Sequence, residues 1–475
     1  MSNNNSKKPL VVDLDGTLIK TDLLVESFLL LIRVNPFMIF WVLVWILRGK
    51  TTLKEEIAKR VDVPVEHLPY NSEFVEYLKA ERALGREIIL ATASHERYAH
   101  DIANYLELFA DVIATNRKVN LSGANKRQAL IERYGEGGYV YAGNASVDLK
   151  VWSHAAAAVV VGNDRIVKAA QSACAIEKSF IQNPPSIKVF IKALRVHQWV
   201  KNGLIFIPLI TAHQLQNIEM LMMSLLGFIA FSVCASSVYF LNDLLDLFDD
   251  RRHATKCKRP FAAGSLSLLV GIIGTPILLL IAILACWFLP TEFQLVLAVY
   301  YILTLAYSFT LKRLVMVDVV TLASLYTIRI VAGAAAIGVL LSFWLLSFSI
   351  FVFLSLAIIK RYTELLKLKA KSASKALGRG YQVEDLELLS SLGGASGYIS
   401  VLVLALYINS PDVKSMYANP VLMWPACLVM LYWISRIWII AHRGNMDDDP
   451  IVFALKDKAS LLCGALIAGF MVLAV

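Results

Sequence analysis

From about residue 188 to its end, the chain runs through nine apolar segments, roughly 188–211, 219–241, 266–289, 293–310, 315–337, 341–359, 393–409, 420–441 and 459–475. Each approaches the ~20 residues an α-helix needs to cross the hydrocarbon of a bilayer, where backbone polar groups find no water. A hydrophobic share of 57% over 475 residues agrees with an all-α membrane domain of about nine transmembrane helices. The net charge of +9 does not call for nucleic acid, because its lysines and arginines flank the apolar segments. Membrane lipids with anionic head groups and phosphorylated substrates suit them better. The cysteines show neither C-x-x-C nor metal-ligand spacing, and the histidines form no cluster.

Loop charge predicts the orientation. The polar start, Met1 to Pro9, carries no signal peptide, which leaves the first domain in the cytosol. Alternation then puts Arg251 to Arg259, Lys312-Arg313, the Lys360 to Arg379 loop and Arg436 to Lys458 on the same side. The opposite loops are nearly bare of Lys and Arg, with Lys414 the exception. This predicts a multi-pass protein of the inner (cytoplasmic) membrane with its polar loops in the cytosol.

The second apolar segment ends in Asn242-Asp243-Leu-Leu-Asp246-Leu-Phe-Asp249-Asp250-Arg251-Arg252, followed by Lys256-Cys-Lys258-Arg259-Pro260. On a helix, positions 242, 243, 246 and 250 fall close to one face. Carboxylates held that close repel unless a cation sits among them. Converging hard oxygens suit Mg²⁺ shared with a phosphate or diphosphate; an ordinary solvated loop is the alternative. N-D-x-x-D-x-x-x-D followed by K/R-R-P resembles the first signature of the UbiA superfamily of intramembrane prenyltransferases. That resemblance implies that Asn242, Asp243, Asp246 and Asp250 hold a donor diphosphate through Mg²⁺, with Asp243 and Asp246 as catalytic residues.

Residues 1–180 alternate apolar strands with helical stretches, the pattern of a doubly wound parallel α/β domain. The strand at Leu10 leads into Asp13-Leu-Asp15-Gly16-Thr17, which places one carboxylate to attack and another to shuttle protons. A second strand from Ile88 ends in Thr92-Ala93-Ser94, small hydroxyl residues fit to cradle phosphate. Lys126 follows a turn and can neutralise phosphate charge; a third strand runs from Tyr139 to Asn144, with Asp148 four residues on. Together, residues 8 to 175 resemble the haloacid dehalogenase-like (HAD) phosphatase family. The resemblance implies Asp13 as the nucleophile that becomes an aspartyl-phosphate, Asp15 as general acid/base, Thr92 and Lys126 as phosphate holders, and Asp13, Asp15 and Asp148 around Mg²⁺. Where the family usually has an acid this chain has Asn144, one charge fewer, although an amide oxygen still ligates Mg²⁺. An active phosphatase and a degenerate scaffold both stay open. An insertion at 22–80 contains the apolar run Ser27 to Leu47, broken by Arg33, Asn35 and Pro36. Each half is too short to span a bilayer, so a helical hairpin either caps the site, dips into the membrane surface or docks on the membrane domain.

Residues 181–475 form the membrane domain. The stretch Leu194-Arg-Val-His197-Gln-Trp199-Val-Lys201-Asn202 belongs at the interface. Asp318 and Arg329 lie within a membrane helix and are functional candidates, with mutual pairing or capping as the alternative. These stretches, together with Y-S-x-x-L-K ending at Lys312, Lys360-Arg361-Tyr362-Thr-Glu364 and the Asp447-Asp448-Asp449-Pro450 loop, resemble the polyprenyl-phosphate phosphoribosyltransferases of the decaprenyl-phosphate type over residues 190 to 460. The resemblance implies transfer of 5-phosphoribose from phosphoribosyl pyrophosphate (PRPP) to a polyprenyl phosphate, with release of diphosphate. Two polyanionic substrates need many cations. Lys201, Lys256, Lys258 and Arg259 suit phosphate charge, and Lys312, Lys360 and Arg361 suit the lipid phosphate or the ribose 5-phosphate, with Asp318 and Arg329 in the same substrate-binding set. The fused HAD domain would remove the 5-phosphate of the product. Two alternatives stand beside this: prenyl transfer from a polyprenyl diphosphate to an aromatic or quinone-precursor acceptor, and a membrane transporter with a regulatory HAD domain.

Overall fold

The computed structural model describes residues 7–116, 119–370, 380–411, 413, 417–447 and 449–474. Arg379, Lys414 and Asp448, named above, lie outside them. The chain forms two compact units that do not follow chain order. One combines Met1–Leu194 with Tyr239–Thr275, the other Arg195–Val238 with Pro276–Val475.

The first unit is built on a six-stranded parallel sheet: β1 (Leu10–Val12), β2 (Ile88–His95), β3 (Asp111–Thr115), β4 (Val140–Gly143), β5 (Ala157–Gly162) and β6 (Ile176–Ile181), in the order β3-β2-β1-β4-β5-β6. Leu10 pairs with Ile88 on one side and Val140 on the other. The strand order reverses at β1, and the carboxyl ends of strands flanking such a reversal form the crevice where α/β sheets bind ligands. Strands covered on both faces read as continuous apolar runs, as Val159 to Val161 do. Beneath them, Trp152 donates its indole N–H to the Tyr141 carbonyl at 3.0 Å and packs edge-on against the Tyr141 ring.

Between β1 and β2, the insertion forms α1 (Leu23–Val34), α2 (Met38–Arg48), α3 (Lys50–Ala58) and α4 (Ser72–Ala83). Asp22 caps α1 by accepting from the Leu24 and Val25 amides. The Asn35-Pro36-Phe37 break turns the chain into α2, as a proline that cannot extend a helix requires. Leu31, Val42, Trp45, Ile57 and Val61 close a small core between the helices, and the Arg60 guanidinium lies over Trp45 at 4.7 Å.

Among the described residues, seven helices are long and apolar enough to cross a membrane: Ile218–Leu245, Leu268–Cys286, Thr291–Phe309, Val317–Ile337, Phe343–Lys369, Val383–Ile408 and Pro420–His442. A shorter one, Lys458–Ala474, falls in the ninth apolar segment. Among the described residues the first apolar segment, 188–211, is not one helix. It breaks into Ile187–Ala193, a 3₁₀ stretch Val196–Phe206 and Ile207–Thr211, with Arg195 left-handed at φ 52°. The physical reason lies in its polar residues: Trp199 donates to Ser236 at 3.0 Å and Asn202 to Ser232 at 2.9 Å, bonds that a lipid-facing helix does not provide. Gly333 lets this stretch lie close, since a Cβ there would stand 2.0 Å from the Ile205 carbonyl oxygen.

Candidate active sites

The carboxyl edge of β1, β2 and β4 gathers the motif residues of the first unit. Lys126 donates to Asp13 at 2.6 Å and to the Tyr141 hydroxyl at 3.0 Å, and that hydroxyl donates to Asp148 at 3.1 Å. The other Asp148 oxygen accepts the amides of Asn144 and Ala145, each at 3.0 Å, so Asp148 shapes the turn after β4. Asp15 accepts from the Leu23 amide at 2.8 Å and the Ser94 hydroxyl at 2.7 Å. Burial, with the Asp22 and Asp13 carboxylates nearby, pushes Asp15 up to about 7. Burial and Asp13 likewise push Asp148 up to about 6. Thr92 is fully buried and its hydroxyl accepts the Ser94 amide. Gly16 packs so tightly on Asn144 that a Cβ would stand 2.0 Å from the amide nitrogen, and the Asn144 oxygen takes the Thr17 hydroxyl at 3.3 Å.

Sequence alone names Ser94 only as part of the phosphate turn and gives no role to Tyr141 or Lys54, all three of which lie at this edge. Ser94 binds the proposed proton carrier directly. Tyr141 joins Lys126 to Asp148 from inside β4. Lys54, on α3, donates to the Ala93 carbonyl at 2.6 Å and to Asn120 at 3.0 Å. Burial lowers its pKa, against the pull of the Asp15 and Asp22 carboxylates. Lys54, Ser94, His95 and Ser27 line a small, partly open cleft between α1, α3 and the end of β2. A cation on an inserted helix has no motif spacing to betray it.

The acidic stretch belongs to the same unit. The helical hydrogen bonding carries through it, with the Asp246 amide on the Asn242 carbonyl and the Asp250 amide on that of Asp246, both at 2.8 Å. Asp243 and Asp250 are buried, and Arg259 bridges them at 3.3 and 2.5 Å, the cation that crowded carboxylates require. Burial nonetheless pushes Asp250 up to about 6. Asp246 is half-buried at the cap of the short helix Leu247–Arg252, and Lys256 and Lys258 lie on the following 3₁₀ turn. The Asn242 side-chain oxygen is buried without a hydrogen-bond partner. A buried orphan oxygen beside carboxylates fits a hard cation such as Mg²⁺. Among the described residues no three His, Cys, Asp or Glu side chains form a metal cluster, so any such site is a mixed set with the amide as a member.

Two other residues of the stretch face elsewhere. Arg251 makes a two-pronged ion pair with the fully buried Glu26 of α1, at 2.6 and 2.9 Å, and Asp249 pairs with Arg33 of α1 at 2.5 Å.

In the second unit, Asp318 accepts from Arg361 and from the Tyr381 hydroxyl, both at 2.5 Å. Arg361 also donates to Tyr307 at 3.0 Å and Glu364 at 2.7 Å. Arg329 donates to Asn202 at 2.8 Å and to the Leu325 carbonyl, among the rings of Phe231, Tyr300 and Tyr326. Asp318 and Arg329 are thus each paired, with other partners than each other. Lys201 pairs with Asp449, and Lys360 lies 3.7 Å from the same carboxylate. Burial would raise Asp449, but Lys360 and Lys201 overcome it and hold the carboxyl at about 2. Two ammonium groups on one carboxylate leave positive charge for an anion. Lys312 lies on the 3₁₀ turn Leu311–Arg313.

Residues 204–456 match the UbiA prenyltransferase family. An uncharacterized protein of Sinorhizobium fredii, y4nM, is 37% identical over 471 residues, covering 98% of this chain and 91% of the relative. The decaprenyl-phosphate phosphoribosyltransferase of Mycobacterium tuberculosis is 30% identical over 289 residues, covering 60% of this chain and 93% of the relative. Among solved structures, a UbiA homolog from Archaeoglobus fulgidus bound to DMAPP and Mg²⁺ aligns with a TM-score of 0.47 at 15% identity, over 59% of this chain and 98% of that one. The family match spans more than half of the 475 residues, and the chain belongs to the UbiA prenyltransferase family.

Proposed function

We propose that this integral membrane transferase moves 5-phosphoribose from PRPP to a polyprenyl phosphate and that its sheet domain, a HAD-type phosphatase, removes the 5-phosphate of the product. The observation that carries the choice of substrates is the similarity to the mycobacterial decaprenyl-phosphate phosphoribosyltransferase over nearly that protein's whole length. In the transfer, an oxygen of the lipid phosphate bonds to the anomeric carbon while the carbon–diphosphate bond breaks and diphosphate leaves with the electron pair. Asn242, Asp243, Asp246 and Asp250 would hold Mg²⁺, which when bound neutralises the leaving diphosphate. Lys256 and Lys258 add charge beside them, Lys201 and Lys360 bind phosphate in the helical unit, and Arg361 and Arg329 brace the helices that carry those groups.

In the phosphatase, Asp13, held in line by Lys126, attacks phosphorus as the bond to the sugar oxygen breaks, and water then hydrolyses the aspartyl-phosphate, releasing phosphate and restoring Asp13. Asp15, protonated near neutrality, gives its proton to the leaving sugar oxygen. Thr92 and Ser94 order the turn that receives the phosphate. The charge of the loops supports a cytosolic position for both activities and an inner-membrane location.

Membranes supplied with Mg²⁺, polyprenyl phosphate and PRPP labelled in the ribose should transfer label to lipid, and Asp243→Asn should abolish this while Asp13→Asn leaves a lipid product that keeps its 5-phosphate. Label entering an aromatic acid from polyprenyl diphosphate, and none from PRPP, would replace the reading with prenyl transfer.

A further inference from the structure

A cap helix exposed to water should be polar on its outer face. On α2 the inner face is Met38, Val42 and Trp45, packed in the insertion's own core. The outer face is apolar too: Phe40 is 66% exposed, Trp41 and Leu43 each 56%, Ile46 53% and Leu47 88%. From Met38 through Leu47 there is no charged residue, and the cations Arg48 and Lys50 follow at once, both exposed. A contiguous apolar patch of this kind marks a binding surface.

The remainder of the first unit identifies what covers it. Helix α1, which leads into α2, is fixed by the Glu26–Arg251 and Arg33–Asp249 ion pairs to the short helix Leu247–Arg252. That helix starts two residues beyond Leu245, where a membrane-crossing helix ends. The insertion is therefore anchored at the mouth of a span, at the level of the lipid head groups. Eleven residues of helix extend ~16 Å, too short to cross a bilayer of ~30 Å hydrocarbon. A short apolar helix with tryptophan on its face and cations at its end is the pattern of a helix lying in the membrane surface.

We propose that α2 is an interfacial helix whose outward face is sunk among lipid acyl chains, with Arg48 and Lys50 on anionic head groups. The lipid bilayer thus forms one wall near the cleft of the sheet domain, which favours phosphate esters carried on lipid over soluble ones. The membrane contact itself stands independently of the phosphatase reading.

The test uses the full chain in vesicles of phosphatidylcholine and phosphatidylglycerol. With Cys174 and Cys257, the two half-buried thiols, replaced by serine, nitroxide labels are placed singly at Leu43→Cys, Leu47→Cys and, as an aqueous reference on a polar helix, Lys168→Cys. The expected result is that labels at 43 and 47 collide more with oxygen than with a water-soluble nickel complex, and that the order reverses at 168. Nickel access at 43 and 47 equal to that at 168 would overturn the proposal. So would protection from both reagents, which would mean that α2 is covered by protein. Membrane fractionation is not the readout, because the other helices keep the chain in the membrane regardless.

Discussion

Asp15 and Asp318 are both enclosed by protein, yet they are held in opposite ways. Asp15, in the sheet unit, takes its hydrogen bonds from an amide and a hydroxyl and has two carboxylates for neighbours, so it stays protonated up to about 7. Asp318, in the helical unit, takes them from a guanidinium and a phenol at 2.5 Å each. The first arrangement favours the protonated carboxyl; the second joins the helices Val317–Ile337 and Phe343–Lys369 to Tyr381. Burial of an ionisable group thus has two meanings in one chain, and the donor set separates them.

Three substitutions test that distinction, in decreasing order of effect. Asp15→Asn should lower phosphate release from a soluble ester by about 10²–10⁴-fold, the usual loss on removing a general acid. Its stability effect has the opposite sign. A carboxyl whose folded pKa lies above its ordinary 3.8 favours the folded state at low pH and loses that contribution as pH rises through about 7. Thermal unfolding should therefore find Asp15→Asn more stable than the parent at pH 8, with the advantage shrinking toward pH 4; a loss of stability at pH 8 would place Asp15 with Asp318. Asp318→Asn removes the buried counter-charge of Arg361 and leaves it only Glu364, which should cost up to ~3–5 kcal/mol, read as a lower unfolding temperature in nanodiscs at every pH. If it unfolds like the parent but cannot transfer phosphoribose, Asp318 belongs to the site after all. Lys7→Ala removes an ion pair with Glu81 whose lysine is 53% exposed and should change stability by less than ~1 kcal/mol. A larger change would mean that donor geometry ranks these pairs less well than burial network.

The sheet unit was legible because its chemistry sits at strand ends, where a motif in sequence is also a position in space. Asp13, Thr92 and Lys126 came from three separate stretches and meet at one edge. Ser94 was within a quoted motif but its bond to Asp15 depends on how β2 ends. The helical unit resisted in two ways. The segment 188–211 has the length and apolar content of a span, but Asn202 and Trp199 find partners 30 or more residues away that break its helix. Asp449 is one carboxylate of the Asp447-Asp448-Asp449-Pro450 loop in the sequence, yet Lys201, 248 residues earlier, pairs with it. Periodicity reports the face of a helix; it carries no information on the distant side chain opposite.

The clamp between α1 and the acidic stretch bears on how such a fused chain can change over generations. Asp249 and Arg251 serve the inserted helices, while Asp243 and Asp250, interleaved with them, share Arg259. Excising residues 1–194 as a module would take the buried Glu26 away from Arg251 and leave that guanidinium without this partner. Exchanging Glu26 and Arg251 for each other, which keeps the pair, should cost less stability than removing either one alone.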